Sequence, residues 1–506
     1  MAIYKFIFCQ IIYVLYLYGE IYLVLTMAEI IGRKEELKKI QSLFVSKQSD
    51  FLAIYGRRRV GKTFLVTEFF KDRFAFRHTG LSPYEDKGQI TMHDQLQAFH
   101  YSLIRFGQDE SISCPKSWQE AFFRLERLLE RKADGNKMVV FIDELPWMDT
   151  PRSKFVSAFG NFYNGWATGR DDILLIVCGS NSSWVIENIV NGKGSLYDRM
   201  TCEMKLVPFT LYETEAYLQS KGVQMSRYDI VRTYLALGGV PYYLSYVQPG
   251  MSVEQNIDEI LFREKAPLRN EFKRLFDTLF RNSGKYVDIV MALSKRNYGY
   301  MRDEISKMVN IPSGGGLTGF LDKLVEADFV DKYTPVAAEG REYYRLKDCF
   351  CIFYLKFRYG KKDMDEHFWR NSSGKKGVQS WCGIAFEQVC LSHLESIRWS
   401  LGISGIVTTA SKYIVRGDEN NAGAQIDLVI QRADGNSNLC EMKFLKGEFL
   451  LNGTEHALLE RRVETLRKAV KIKGTIFPTL VTTEGLKYNM YSGIFQNCLT
   501  LDDLFH

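Results

Sequence analysis

Proline and histidine are scarce in this 506-residue chain, at 11 and 7, and its ten cysteines (9, 114, 178, 202, 349, 351, 382, 390, 440 and 498) include no C-x-x-C pair. Most of those cysteines sit in apolar runs, which argues against a disulfide framework or a zinc ribbon and for buried thiols in a reduced compartment. No two histidines stand at metal-ligand spacing. Charge of one sign is lacking too: 66 Lys+Arg against 60 Asp+Glu leave only +6. A polybasic nucleic-acid wrapper or an acidic disordered tail is therefore excluded as the whole story. What is present is 46% hydrophobic and 14% aromatic residues, enough for several cores, and at roughly 100–200 residues per domain three or four domains are expected.

One long apolar run exists, residues 6–25, broken only by Gln10, Gly19 and Glu20. It is long enough to span a bilayer. The central Glu20 and the single flanking cation Lys5 speak against an anchor, and no A-x-A-like cleavage site follows. From Met27 the sequence turns polar, A-E-I-I-G-R-K-E-E-L. Residues 1–26 are thus expected to be a leader from a misassigned start codon, with a membrane anchor as the alternative. A cytoplasmic location is expected unless the leader is genuine.

The strongest motif is Gly56-Arg57-Arg58-Arg59-Val60-Gly61-Lys62-Thr63, which fits G-x-x-x-x-G-K-[ST]. The apolar run Phe51 to Tyr55 precedes it as a buried strand, and Phe64 to Phe70 follows as a helix. In that setting the glycines turn backbone N–H groups onto phosphates at a helix N-terminus, Lys62 reaches the β/γ oxygens and Thr63 holds Mg²⁺. ATP and Mg²⁺ are the implied ligands. A second apolar strand, Met138 to Ile142, ends in Asp143-Glu144. Asp143 is expected to support the Mg²⁺ shell and Glu144 to polarise the attacking water.

A third strand, Ile173 to Cys178, ends in Gly179-Ser180-Asn181. Ser180 or Asn181 is a candidate for sensing the γ-phosphate; a plain helix N-cap is the competing reading. Arg199, ahead of a strand from Thr201 to Val207, is a candidate arginine finger in cis or across a subunit boundary, or a surface arginine without a role.

From Thr210 the chain turns helical and reaches Gly238-Gly239-Val240-Pro241, either an interhelical turn or an element whose proline ring faces the nucleotide. Here the sequence resembles the prokaryotic AAA-type ATPases related to the STAND class of signal-transduction NTPases, in the subgroup with a C-terminal restriction-endonuclease-like domain of unknown function. The matching pieces are Ile30 to Glu36 (similar to a hydrophobic-Gly-Arg-Glu-x-Glu box), the phosphate loop, Phe141 to Glu144, Cys178 to Ser180, Arg199 and Gly239-Val240-Pro241. The resemblance implies that Arg33 and Pro241 line the adenine pocket. Lys34 departs from the box, where Glu is usual.

Residues 284–345 read as three amphipathic helices and a hairpin. The stripes are Tyr286, Ile289, Val290 and Leu293, then Ile305 and Met308, then Leu317, Phe320, Leu321, Leu324 and Val325. The hairpin runs from Phe329 to Tyr333 and from Tyr343 to Leu346. This is a winged-helix pattern, but its third helix offers Thr318, Asp322, Lys323 and Glu326, which is no basic face for DNA. A spacer or protein-docking role is the reading preferred over DNA recognition.

Residues 361–379 are charged and Gly/Ser-bearing and are expected to be a linker. Beyond it come an amphipathic helix bearing Glu387, a strand with Asp427, and a strand with Glu441-Met442-Lys443. Fourteen residues from Asp427 to Glu441 suit adjacent antiparallel strands, and Glu441 and Lys443, two apart, point to one side. Asp427, Glu441 and Glu387 are candidate ligands of a second Mg²⁺, and Lys443 a candidate for activating water in phosphodiester cleavage. The arrangement resembles the PD-(D/E)xK nuclease core, with Ile426 replacing its proline. The next helix carries Arg461, Arg462, Arg467, Lys468, Lys471 and Lys473 against Glu464 alone, a solvated face or a phosphate-tracking surface.

The expected α/β architecture is a P-loop core (27–208), a helical lid (209–280), a winged helix (281–350), a linker (351–380) and a nuclease-like domain (381–506). The expected function is an ATP-hydrolysing switch coupled to a nuclease-like, DNA-interacting domain. The alternative is a non-catalytic, ATP-gated protein- or DNA-binding regulator. A homo-oligomer or a protein partner is compatible with either.

Overall fold

A computed structural model describes residues 30–83, 90–191, 196, 199–280, 282–336, 340–361, 365–415, 424–470 and 472–506. The leader 1–26 and the basic residue Lys471 lie outside them. The chain divides into two compact units, one ending at Val207 and the other running from Pro208 to His506.

The first unit is built on five strands: β1 (Asp50–Tyr55), β2 (Phe74–Thr79), β3 (Met138–Asp143), β4 (Ile173–Gly179) and β5 (Cys202–Lys205). They form an all-parallel sheet in the order β2-β3-β4-β1-β5. An all-parallel sheet needs both faces covered, which is why its three inner strands, β1, β3 and β4, are buried along their whole length and read as apolar runs. Phe51, Ala53, Val140, Ile142, Leu175 and Val177 face one side, under the helices Met92–Arg105, Trp118–Lys132 and Phe155–Gly165. Leu52, Ile54, Val139, Phe141, Leu174 and Ile176 face the other, under Lys34–Phe44 and Lys62–Phe70.

β2 has the weak, interrupted alternation of an edge strand, with Phe76 and His78 inward and Arg77 lying over the Phe74 and Phe141 rings. His78 is buried, with Nδ1 2.9 Å from the Ser102 hydroxyl, and burial pushes its imidazole down to about 3. Below pH 6.5 the unfolded chain binds a proton that the folded one refuses, so this contribution to stability is present at pH 7 and falls progressively down to about pH 3. At pH 5 the loss is about 2 kcal/mol. The drop in thermal midpoint between pH 7 and pH 5 is accordingly expected to be several degrees smaller in His78→Gln than in the wild type.

The second unit begins with the helices Leu211–Ser220, Arg227–Leu237 and Pro241–Leu244. After further short helices come Ser283–Leu293, Arg302–Val309 and Gly315–Glu326. A small antiparallel sheet accompanies them, β6 (Tyr300–Met301), β7 (Val330–Tyr333) and β8 (Tyr343–Leu346), in the order β6-β8-β7. The helix stripes face the core as their spacing requires, with Phe320 and Val325 half-buried at its margin, except Met308, which is 38% exposed on a helix that buries only Ile305. The chain then forms a five-stranded mixed sheet from β9 (Thr408–Val415), β10 (Ala424–Arg432), β11 (Ser437–Lys443), β12 (Ile476–Thr482) and β13 (Asn497–Leu499), ordered β13-β12-β11-β10-β9. β9, β10 and β11 pair antiparallel, and β11, β12 and β13 pair parallel.

Residues 351–380 are not a linker. Helices Cys349–Phe357, Phe368–Ser372 and Lys376–Ser392 fill most of the stretch, and Phe353, Phe357, Trp369 and Trp381 pack edge to face in the core. Charged residues around Trp369 hid it in the sequence, but a buried indole anchors what composition marks as a spacer. One apolar cluster draws residues from Phe209 to Phe505, and a separate one packs the helix Gly453–Val470 on the C-terminal sheet. Trp369→Ala is expected to destabilise that unit by about 3–5 kcal/mol, visible as a lower midpoint in denaturant unfolding. Among the described residues no helix is long and apolar enough to cross a membrane.

Candidate functional site

β1 runs directly into the loop Gly56 to Gly61. Gly56 has φ +140°, and a Cβ on it would lie 2.1 Å from the Leu206 carbonyl oxygen, so the approach of the chain after β5 leaves room only for glycine. Gly61 has φ +94° and starts the helix Lys62–Phe70. Arg59 also takes a left-handed turn, at φ +73°. Arg57 is buried, and Arg58 and Arg59 are half-buried. Arg33, buried at the N-cap of Lys34–Phe44, donates to the carbonyls of Val60 (3.3 Å) and Val207 (2.7 Å). It thereby braces the loop from outside.

Lys62 is buried inside the loop and donates to the carbonyls of Gly56 (2.9 Å) and Arg57 (3.2 Å). Burial lowers its pKa, against the opposing pull of Glu144, Cys178 and Asp143. Thr63 Oγ1 donates to Asp143 Oδ2 at 2.7 Å, bringing together residues from the loop and from the end of β3. Burial, and then the Glu144 charge, push the Asp143 carboxyl up to about 6. A hydroxyl and a carboxylate at this separation are the hard oxygen donors that Mg²⁺ takes, so the pair fits that ion. Glu144 sits in a left-handed conformation, φ +47°, a strained state for a non-glycine residue and a common one where function demands it. The turn aims its carboxylate at the end of β4, where Oε2 accepts from the Ser180 amide (3.0 Å) and hydroxyl (2.8 Å). Asn181 does not join them; its Oδ1 caps the next helix by accepting from the Trp184 amide at 3.2 Å.

Residues 30–247 match the family of ATPase domains found predominantly in Archaea. The chain belongs to the P-loop ATPases. An uncharacterized ATP-binding protein of Methanocaldococcus jannaschii is 37% identical to the ATPase over 43 residues, 8% of this chain and 73% of that protein. An uncharacterized protein of the same organism is 24% identical over 405 residues, 79% of this chain and 83% of its own. Among solved structures, the Walker-type ATPase of Pyrococcus abyssi shares 18% identity with a TM-score of 0.45, over 65% of this chain and 97% of that one. The Aeropyrum pernix ORC2 protein shares 12% identity with a TM-score of 0.41, over 64% and 93%.

Two further residues were predicted for the nucleotide site, Arg199 and Pro241. Arg199 is exposed. Pro241 belongs to the second unit, at the first turn of its short helix; the turn before it is shaped by Gly239, whose Cβ would meet the Phe209 carbonyl oxygen at 1.9 Å.

The carboxylates proposed for a second Mg²⁺ lie within the second unit. β10 and β11 are antiparallel as their spacing requires, and β10 is irregular against β9 between Ile426 and Val429, around Asp427. Asp427 Oδ2 accepts from the Met442 amide at 3.1 Å, and burial together with Glu387 and Glu441 pushes its carboxyl up to about 7. Glu441 is paired with Lys443 (2.9 Å) and with Arg462 (2.5 Å). Glu387 is paired with Lys412 at 2.6 Å and also accepts from Asn297 at 3.3 Å. Among the described residues no group of three or more His, Cys, Asp or Glu side chains is arranged to hold a metal ion, so this trio does not fit Mg²⁺ as it stands. Sequence reasoning missed Lys412; its only signal is a lone lysine in the strand Ser411-Lys412-Tyr413-Ile414-Val415.

Proposed function

We propose that the ATPase binds ATP on the Gly56 to Thr63 loop and hydrolyses it, and that its nucleotide state switches the activity of the residues beyond Val207. The observation that carries this reading is the Glu144 carboxylate, held by Ser180 beside the Thr63–Asp143 pair. In that position Glu144 is a base for the attacking water, Lys62 a cation for the β/γ oxygens, and the loop amides a cradle for phosphate. Mg²⁺ held by Thr63 and Asp143 supplies charge neutralisation at the phosphate oxygens when bound. Phosphate release from ATP by the purified chain tests the reading, and its complete absence with Mg²⁺ at neutral pH would remove it. Ser180 is the candidate orienting residue, and Arg199 a candidate finger acting in cis or across a subunit boundary.

For the C-terminal sheet, phosphodiester cleavage through Asp427, Glu441 and Lys443 is one reading. The cation pairing of Glu387 and Glu441 favours the other, a non-catalytic module that contacts DNA or protein in an ATP-gated manner. The exposed Arg461, Arg467, Lys468 and Lys473 support DNA contact. The helix Gly315–Glu326 and its small sheet suit a winged helix used for docking, since that helix has no basic face. Plasmid incubated with the ATPase, Mg²⁺ or Mn²⁺, with and without ATP, separates the two. DNA bound but uncut, in wild type and Lys443→Ala alike, is the result expected of the non-catalytic module; nicking lost in Lys443→Ala would establish the nuclease.

A further inference from the structure

Three carboxylates and three cations are linked across strands β9, β10 and β11 of the C-terminal sheet and two of its helices. Glu387 is on the helix Lys376–Ser392, Asp427 on β10 and Glu441 on β11; Lys412 is on β9, Lys443 on β11 and Arg462 on the helix Gly453–Val470. Lys412 is only 2% exposed on its side chain, and its Nζ lies 2.6 Å from Glu387 Oε2. Its charge also acts on Asp427. Arg462 Nη1 lies 2.5 Å from Glu441 Oε2, and Lys443 Nζ lies 2.9 Å from Glu441 Oε1. The formal charges therefore cancel with no metal present. A buried ammonium is tolerated only because carboxylates surround it, and removing it would leave those carboxylates uncompensated.

We infer that Lys412, assisted by Arg462, holds the place of a divalent cation at this cluster, so that the ATPase carries there a charge-balanced site that excludes Mg²⁺ and Mn²⁺. A divalent ion entering between Glu387, Asp427 and Glu441 meets Lys412 at contact distance and gains no net negative site to neutralise. The position of Lys412 is set from outside the sheet. Its carbonyl accepts from the Val336 amide at 2.9 Å, and the neighbouring Ser411 hydroxyl donates to the Thr334 carbonyl at 2.7 Å, just beyond β7. Asn297, ahead of β6, holds Glu387 from the same side of the chain. The segment carrying the small sheet thus clasps both members of the Lys412–Glu387 pair. This inference stands on the pairing and does not require the sheet to be a nuclease.

The test titrates free Mn²⁺ into the nucleotide-free full chain, with unbound ion read by electron paramagnetic resonance. Wild type is expected to take up no Mn²⁺ that Asp427→Asn abolishes. Lys412→Met is expected to take up one Mn²⁺ per chain at concentrations where the wild type takes up none at this site, a gain in affinity of at least about tenfold, and the double variant with Asp427→Asn to lose it. Arg462→Met, at a half-buried position, is expected to show a smaller gain of the same kind. Uptake of one Asp427-dependent Mn²⁺ by the wild type overturns the inference whether or not the variants fold. So does a folded Lys412→Met chain with no gain. Because the readout is ion binding, failure here is distinct from failure to cut DNA.

Discussion

Replacing Glu144 by Gln is expected to lower phosphate release from ATP by about 100-fold or more, while nucleotide affinity stays within about twofold of wild type. Glutamine keeps the shape of the side chain and an oxygen that accepts from the Ser180 amide and hydroxyl, so the left-handed turn at residue 144 and the end of β4 keep their contacts. What it loses is the capacity to take a proton from water. General bases contribute typically 10²–10⁴-fold to rate, and that is the range the substitution probes. Glu144 touches neither Lys62 nor Thr63 by hydrogen bond, whereas Thr63 and Asp143 do meet, so the binding half of the site is left intact. Phosphate release and the binding of a fluorescent ATP analogue, measured on the same preparation, read the two effects separately. Equal hydrolysis rates in wild type and Glu144→Gln would exclude Glu144 as the base.

Lys62→Ala is expected to act on binding itself, weakening ATP affinity by about 100-fold. The ammonium lies inside the loop with two carbonyl partners, Gly56 and Arg57, and burial already disfavours its charge. A phosphate chain relieves that burden by offering anionic oxygens in place of neutral carbonyls. Each charge-assisted hydrogen bond contributes about 1.5–3 kcal/mol, so losing the ammonium removes about two decades of affinity. Ligand that binds only the folded state raises its stability in proportion to the logarithm of concentration over Kd. Millimolar ATP should therefore raise the melting midpoint of the wild type and leave that of Lys62→Ala nearly unmoved. An equal shift in both would place ATP elsewhere.

The phosphate loop was legible in the sequence because it is local: two glycines, a lysine and a threonine within eight residues carry their own backbone requirements, and φ +140° at Gly56 and +94° at Gly61 meet them. Asp143-Glu144 was legible for the same reason, at the end of an apolar strand. The contact of Glu144 with Ser180 spans 36 residues and depends on β3 and β4 being neighbours. Apolar alternation is the same whichever strand lies alongside, so no pattern within one strand reports its partner. The stretch 361–379 failed as a linker because composition averages over the side chain that matters, Trp369, and the aromatic cluster receiving it comes in part from the helix Cys349–Phe357. Arg462 was visible only as one of a row of cations; its pairing with Glu441 on β11 singles it out.

By itself the sequence determined a phosphate-binding loop, a carboxylate pair at the end of a buried strand, and a second set of acidic residues at strand spacing, because each rests on residue types a few positions apart. The tertiary structure decided what those groups face. The strand order β2-β3-β4-β1-β5 sets Ser180 against Glu144. The packing of β9 and of the helix Gly453–Val470 sets Lys412 and Arg462 on the second group of carboxylates. A carboxylate's chemistry depends on whether its neighbour is a hydroxyl, an ammonium or open water, and that neighbour is chosen by long-range packing.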